Sequence, residues 1–517
     1  MTATSTAASE TAAAPTTIPV TAVVSRAAAV APIDRRIFGS FVEHLGRCVY
    51  DGIYEPGHPT ANEDGFRLDV VELVKELGST TIRYPGGNFV SGYRWEDGVG
   101  PREQRPVRRD LAWHAIETNQ VGLNEFARWC KLTNSELMMA VNLGTRGIEE
   151  ALDLLEYANH PSGTALSEKR IADGTPEPHN IRMWCLGNEM DGPWQIGHMS
   201  AENYGRLAAR TASAMKTADS SLELVACGSS GSAMPTFGEW ERVVLEHSYE
   251  HVDYISCHAY YQERNGDLGS YLASSLDMQY FIETVVATAD HVKHKLRSSK
   301  TLKLSFDEWN IWYLDEHRAS DEVNDEWRVA PRQLEDVYSV ADAVVFGNLL
   351  MTLLKNHDRV GSASLAQLVN VIAPIMTEPG GDAWRQTTFF PFSVTSRLAR
   401  GEVLLPRVSC GTYSTAVYGE APLVDVVATT DSATGASAVF LVNRSQTETL
   451  EVSIDVSDLD ATVVTEAHTL HDEDVYAKNT RTDQGRVGLK ELQEVSLQDG
   501  VLTVRLAPVS WSALALA

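Results

Sequence analysis

Residues 181–189 read Ile-Arg-Met-Trp-Cys-Leu-Gly-Asn-Glu, a short apolar run that stops on a glycine, an amide and a carboxylate. A strand buried on both faces has this texture, because neither face meets water. Seven further runs share it, at 37–42, 80–84, 137–142, 222–227, 252–258, 302–306 and 362–368. Stretches of helical periodicity lie between them. Val70, Val74 and Leu77 share a face that ends at Gly78; Leu123, Phe126, Ala127 and Cys130 follow the i, i+3, i+4, i+7 spacing. Tyr204, Leu207, Ala208, Thr211 and Met215 do much the same, as do Phe281, Ile282, Val285 and Ala289. A longer helix is predicted over 331–355, with Leu334, Val337, Val340, Ala341 and Val344 on one face. Eight strands alternating with helices predict an α/β chain built on a (β/α)8 TIM barrel; pattern alone also permits an open doubly wound sheet.

After about residue 385 the texture changes. Runs at 439–442, 450–456, 461–470, 501–506 and 511–516 read as strands punctuated by Asp, Gly, Ser and Thr. They predict a C-terminal antiparallel β-sandwich, jelly-roll-like, over 386–517. Ile18, Val20, Ala22 and Val24 alternate, so residues 18–35 are expected to add strands to that sandwich, leaving 36–385 as the barrel. Residues 1–17 are rich in Ala, Thr and Ser with no Lys or Arg, which reads as a disordered tail and not a secretory signal.

The 517 residues carry 43% hydrophobic and 22% charged side chains and a formal net charge of −27, the make-up of a soluble globular protein. So acidic a surface repels phosphate backbones and anionic lipid, which argues against nucleic-acid and membrane partners. The six cysteines form no C-x-x-C pair and several lie in apolar runs, so reduced thiols and a cytoplasmic location are expected, with no metal site.

Barrel enzymes place their chemistry just past the C-terminal ends of strands. Polar residues are dense there: Glu43-His44, Arg83-Tyr84-Pro85-Gly86-Gly87-Asn88, Asn188-Glu189, His258-Ala259-Tyr260, Asp307-Glu308, and Gln367 with Asn370. Glu189 and Glu308 stand out, each ending an apolar strand beside an aromatic. Two carboxyl groups flanking one bond are what glycoside hydrolysis needs, and a separation of roughly 5 Å gives retention of configuration. A lone glutamate there is more often structural; the pair favours catalysis. Gly86-Gly87 reads as backbone freedom for close approach of a ligand. His44, His258 and Asp307 read first as structural, Cys48 as inert, and the charged segment 315–328 as a solvated face, with a lid or subunit contact as its alternative.

Phe38-Gly39-Ser40-Phe41-Val42-Glu43-His44, Arg83-Tyr84-Pro85-Gly86-Gly87-Asn88-Phe89, the tract 184–194 (WCLGNEMDGPW), Asp307-Glu308-Trp309-Asn310 and the tract 366–372 (AQLVNVI) resemble the α-L-arabinofuranosidases of glycoside hydrolase family 51. The likeness covers about residues 18–517. It implies a retaining, exo-acting hydrolase of terminal α-L-arabinofuranosyl residues that works by double displacement and requires no cofactor. It implies Glu189 as acid/base and Glu308 as nucleophile. Asn188 would hold the 2-hydroxyl, with Glu43, Asn88 and Gln367 on the remaining polar contacts. Tyr260 would orient the nucleophile, Arg83 would hold carboxylates, and Trp113 and Trp312 would offer apolar faces; His258 ranks below these as a supporting group. Substrates would be arabinofuranosyl oligosaccharides or polysaccharide side chains, and the assembly a homo-oligomer, a hexamer by resemblance. An endo-glucanase or β-xylosidase on the same scaffold, and a non-catalytic carbohydrate-binding protein, are the alternatives.

Overall fold

A computed structural model describes residues 17–319 and 326–517. The tail predicted over 1–17 falls outside it, apart from Thr17, as does the centre of the charged segment 315–328. Eight parallel strands close a barrel: β1 Gly39–Phe41, β2 Thr81–Tyr84, β3 Glu136–Val141, β4 Met183–Leu186, β5 Glu223–Ala226, β6 Tyr254–Tyr261, β7 Lys303–Ile311 and β8 Val360–Ala366, in that order around the ring. All eight apolar runs are therefore strands, and the open sheet is excluded. Their continuous apolar character has a direct cause. On β3, Met138 and Ala140 point into a plug with Met183, Cys185 and Val225, while Met139 and Val141 face the surrounding helices.

Several bounds differ from the sequence expectation. Strands β6 and β7 run on to Tyr261 and Ile311, so His258, Tyr260 and Glu308 lie within strands; a register shift falls between Ser256 and His258. Strand β8 stops at Ala366, and Gln367 and Asn370 follow it. The helix expected over 331–355 begins only at Val340. Ala330 and Leu334 have φ of 46° and 53°, which no helix accommodates, and Ser339 caps the real start, its hydroxyl accepting from the Asp342 N–H.

The C-terminal region holds two sheets. The inner one has seven strands ordered Ala29–Pro32, Glu402–Leu404, Val424–Thr430, Ser437–Asn443, Ser510–Leu516, Val464–Leu470 and Lys490–Glu491, all antiparallel. The outer one has five, ordered Arg407–Ser409, Thr17–Val23, Thr449–Asp455, Val501–Leu506 and Val495–Gln498. One pair departs from the antiparallel expectation: Thr17–Val23 runs parallel to Thr449–Asp455, because a strand from the far end of the chain has no hairpin to set its direction. The N-terminal segment thus supplies a strand to each sheet. In Ser437–Asn443, Val439 and Leu441 pack between the sheets while Phe440 and Val442 join the barrel's helical layer. The helix Phe389–Leu398 lies past residue 385 and packs on the barrel helices Leu68–Leu77 and Val340–Lys355, so the helical layer extends beyond the boundary read from texture.

Candidate active site

The C-terminal ends of the strands surround a cleft of about 590 Å³. Glu308, on β7, and Glu189, three residues past β4, both line it. One side-chain oxygen from each and Nδ1 of His258 lie within 4.8 Å of one another. The two glutamates, remote in sequence, meet across one gap.

Their surroundings differ. Arg83 Nη1 donates to Glu308 Oε1 at 2.8 Å, and the Tyr260 hydroxyl donates to Oε2 at 2.6 Å. Burial pushes the Glu308 pKa up, but the charges of His258 and Arg83 and the Tyr260 hydrogen bond outweigh it, and the carboxyl is held below the usual range. Glu189 instead accepts from Trp194 Nε1 at 2.6 Å on Oε2 and faces His258 Nδ1 at 2.9 Å on Oε1. Among the described residues it meets no arginine. Its backbone sits at φ 44°, in the loop that turns its side chain toward the cleft.

The polar ring has a connected wiring. Glu43 Oε1 accepts from the Phe89 N–H (2.9 Å) and Trp113 Nε1 (2.8 Å); Oε2 accepts from Gln367 Nε2 at 3.1 Å. Burial pushes Glu43 up to about 8 against those donors. Arg83 Nη2 donates to Asn188 Oδ1 at 2.6 Å, and Asn188 Nδ2 makes two long bonds, to Asn88 Oδ1 at 3.3 Å and Gln195 Oε1 at 3.4 Å. Trp312 packs edge-on to Tyr260 with ring centroids 5.0 Å apart. Glu43, Asn88, Trp113, Tyr260, Trp312 and Gln367 line the cleft; Asn188, Arg83 and His258 are buried beside it.

The close approach that requires Gly86 comes from within the protein. Its φ is 147°, and a Cβ there would lie 2.4 Å from Glu43 Cγ. His44 bridges Glu117 and Tyr84, each at 2.8 Å, stacked on Phe89, which makes it a framework residue. Asp307 turns inward to Ser305 and Cys185. Asn370 serves the backbone of Arg47 and the Thr377 hydroxyl. Burial pushes the Cys48 thiol up to about 12.

Sequence reasoning missed several groups. Trp194 and Gln195 follow Glu189 in a turn, and only that turn brings the indole back to the carboxyl; Gln195 Nε2 donates to Ser91 Oγ at 2.5 Å. Ser230–Met234, a Ser/Gly loop with no sequence signal, and Asp277 also line the cleft. Leu314 and His317 also line the cleft, so the segment read as a solvated face begins at the site; its described far end packs on the hairpin Arg108–Asp110/Ala115–Glu117, where the Trp327 and His114 ring centroids lie 3.9 Å apart at a tilt.

Comparison with known proteins agrees with this geometry. Residues 73–274 match the family model "Alpha-L-arabinofuranosidase 1 domain" and residues 307–510 the "Alpha-L-arabinofuranosidase C-terminal domain". An exo-α-(1→6)-L-arabinofuranosidase of Bifidobacterium longum is 60% identical over 94% of this chain and 95% of its own. An intracellular exo-α-(1→5)-L-arabinofuranosidase of Streptomyces lividans is 58% identical over 94% and 73%. The solved family 51 α-L-arabinofuranosidase of B. longum superposes with a TM-score of 0.94 at 50% identity, covering 97% of this chain and 100% of that one. On these grounds the chain belongs to the α-L-arabinofuranosidases of glycoside hydrolase family 51.

Proposed function

We propose that this exo-α-L-arabinofuranosidase uses Glu308 as its nucleophile and Glu189 as its acid/base. The observation that carries the assignment is the meeting of the two carboxyl groups within 4.8 Å at the end of the cleft, the spacing of a double displacement. Glu308, held ionised by Arg83 and Tyr260, attacks the anomeric carbon while Glu189 protonates the departing oxygen. An arabinosyl ester forms on Glu308. Water, giving its proton to Glu189, then releases arabinose with retained configuration. Glu43, Asn88 and Gln367 hold the sugar's hydroxyls, Asn188 reaches the 2-hydroxyl with its loosely held amide, and Trp113 and Trp312 cover the ring.

Terminal arabinofuranosyl units of oligo- and polysaccharides are the substrates. The relatives differ in the linkage they are named for, (1→6) at 60% identity and (1→5) at 58%, so both belong in the substrate panel. A location inside the cell accords with relatives named intracellular. We assign the barrel to residues 36–385 with the helix Phe389–Leu398, and the sandwich to the strands on either side. A homo-oligomer, a hexamer by family resemblance, is the assembly to be sought by light scattering.

Glu308→Ala should leave at most a trace of turnover, and azide should restore Glu189→Ala on an aryl α-L-arabinofuranoside with a good leaving group. Product NMR should show retention. Near-normal activity of Glu308→Ala removes the assignment.

A further inference from the structure

His258 is the one side chain among the described residues with recorded contacts to both glutamates. Nδ1 lies 2.9 Å from Glu189 Oε1 and 3.6 Å from Glu308 Oε2. The ring is 2% exposed and does not line the cleft, so it acts on a sugar only through those carboxyl groups. We propose that His258 is a positioning residue that donates its Nδ1 proton to Glu189 Oε1 and so confines the transferable proton of Glu189 to Oε2, the oxygen beside Trp194 at the cleft wall.

A carboxylic acid has two oxygens and one proton, and only one of the two placements serves catalysis. A hydroxyl on Oε1 would aim at the imidazole and away from the leaving group. That placement needs Nδ1 as an acceptor and, in the neutral ring, puts the imidazole proton on Nε2. Nε2 is buried without a partner among the described residues, and a buried N–H left unpaired is disfavoured more than a bare lone pair. The Glu308 carboxylate, 3.6 Å away, attracts the proton to Nδ1 as well. Arg83 and Asp307 complete the charged groups around the ring, with Asp191 farther along the Glu189 loop. Burial opposes a charged ring, yet the two glutamates outweigh it and raise the His258 pKa. A neutral Nδ1–H ring and an imidazolium both present the donor.

The same donor serves both half-reactions. In the first, the Oε2 proton passes to the glycosidic oxygen as its bond to the anomeric carbon breaks and a Glu308 oxygen takes its place. In the second, Nδ1–H remains on Oε1, leaving Oε2 as the lone pair that receives the proton of the attacking water while the ester bond breaks and the Glu308 carboxylate returns.

The inference rests on Glu189 being the acid/base. The test compares arabinofuranosides with a 2,4-dinitrophenyl leaving group, which departs unprotonated, and an alkyl one, which does not. For His258→Ala, kcat/KM should fall roughly a hundredfold on the alkyl substrate and less than about fivefold on the aryl one. Asn places an N–H where Nδ1 stood, and Gln places it near Nε2. His258→Asn should therefore recover most of the loss while His258→Gln resembles Ala, and this pair carries the test should the Ala variant fail to fold. Equal losses on both substrates in a folded variant, or Asn and Gln behaving alike, overturn the proposal. Glu189→Ala is measured beside them: if it lacks leaving-group dependence, the acid/base assignment itself falls, whereas dependence there without dependence at position 258 removes only the role of His258.

Discussion

Arg83 shows how much one buried side chain organises. Its guanidinium grips Glu308 and Asn188 through separate nitrogens while its face lies 4.7 Å over the Phe41 ring. A lysine keeps the charge but not the fork, so Arg83→Lys should lose roughly a hundredfold in kcat/KM. Arg83→Met removes one of the charges that hold Glu308 ionised. The Glu308 pKa then rises, and the acidic limb of the kcat/KM profile should move to higher pH; an unmoved limb contradicts this account. Gly86→Ala drives a methyl into Glu43, so KM should rise severalfold with a smaller change in kcat. At this scale the sequence was most legible where chemistry closes an apolar run, as Glu189 and Glu308 do, although the strand that carries Glu308 continues to Ile311. Trp194 and Gln195 were not legible, although Trp194 closes the tract 184–194, because contact between an indole and a carboxyl five positions earlier depends on the turn.

Among the elements, the helix Val340–Lys355 carries the widest burden. All its residues from Val340 to Leu354 are buried, since barrel strands press on one side and the inner sheet on the other. Gly347 marks the closest approach: a Cβ would stand 2.4 Å from Cδ1 of Trp511. Alanine is worth about 1 kcal/mol more than glycine in a free helix, but overpacking costs about 1–3 kcal/mol, and the Trp511 ring is fully buried. Gly347→Ala should therefore lower Tm by a few degrees; a rise would show that the ring yields. The early start expected for this helix had a physical origin: Leu334 and Val337 continue its periodicity by coincidence of spacing. The Ser339-Val340-Ala341-Asp342 capping box was the stop signal, and periodicity read alone runs past it. The strands from Glu402 to Thr430 escaped for a different reason, as several are short, edge-placed and polar on one face.

Across the whole molecule, the two regions are tied by charge as well as by the apolar layer. Asp425 on the inner sheet accepts from Lys355, from Asn348 at 2.7 Å and from Arg444 at 3.1 Å. Burial alone would raise its pKa, but Lys355 and Arg444 hold it far below the usual carboxylate range. A depressed carboxyl stabilises the fold fully above its unfolded pKa and loses that contribution as pH falls through the folded one. Asp425→Asn leaves two cations without their counter-charge and should cost about 3 kcal/mol at neutral pH. The gap in Tm between wild type and variant should narrow on acidification below about pH 4, and a gap constant in pH would show that Asp425 acts by shape alone. The barrel was legible whole because its eight strands repeat one texture. The sandwich was legible only in part because its pairing joins distant segments: the register that sets Thr17 opposite Thr449 appears nowhere in local pattern. That pairing bears on how the protein is made. As the polypeptide leaves the ribosome, its first strands emerge long before the partners they need, so the barrel assembles while an open, apolar β edge waits at the N-terminus. Until residue 455 has been made, the strand Thr17–Val23 lacks the neighbour it pairs with, and an unpaired strand is a template for other chains.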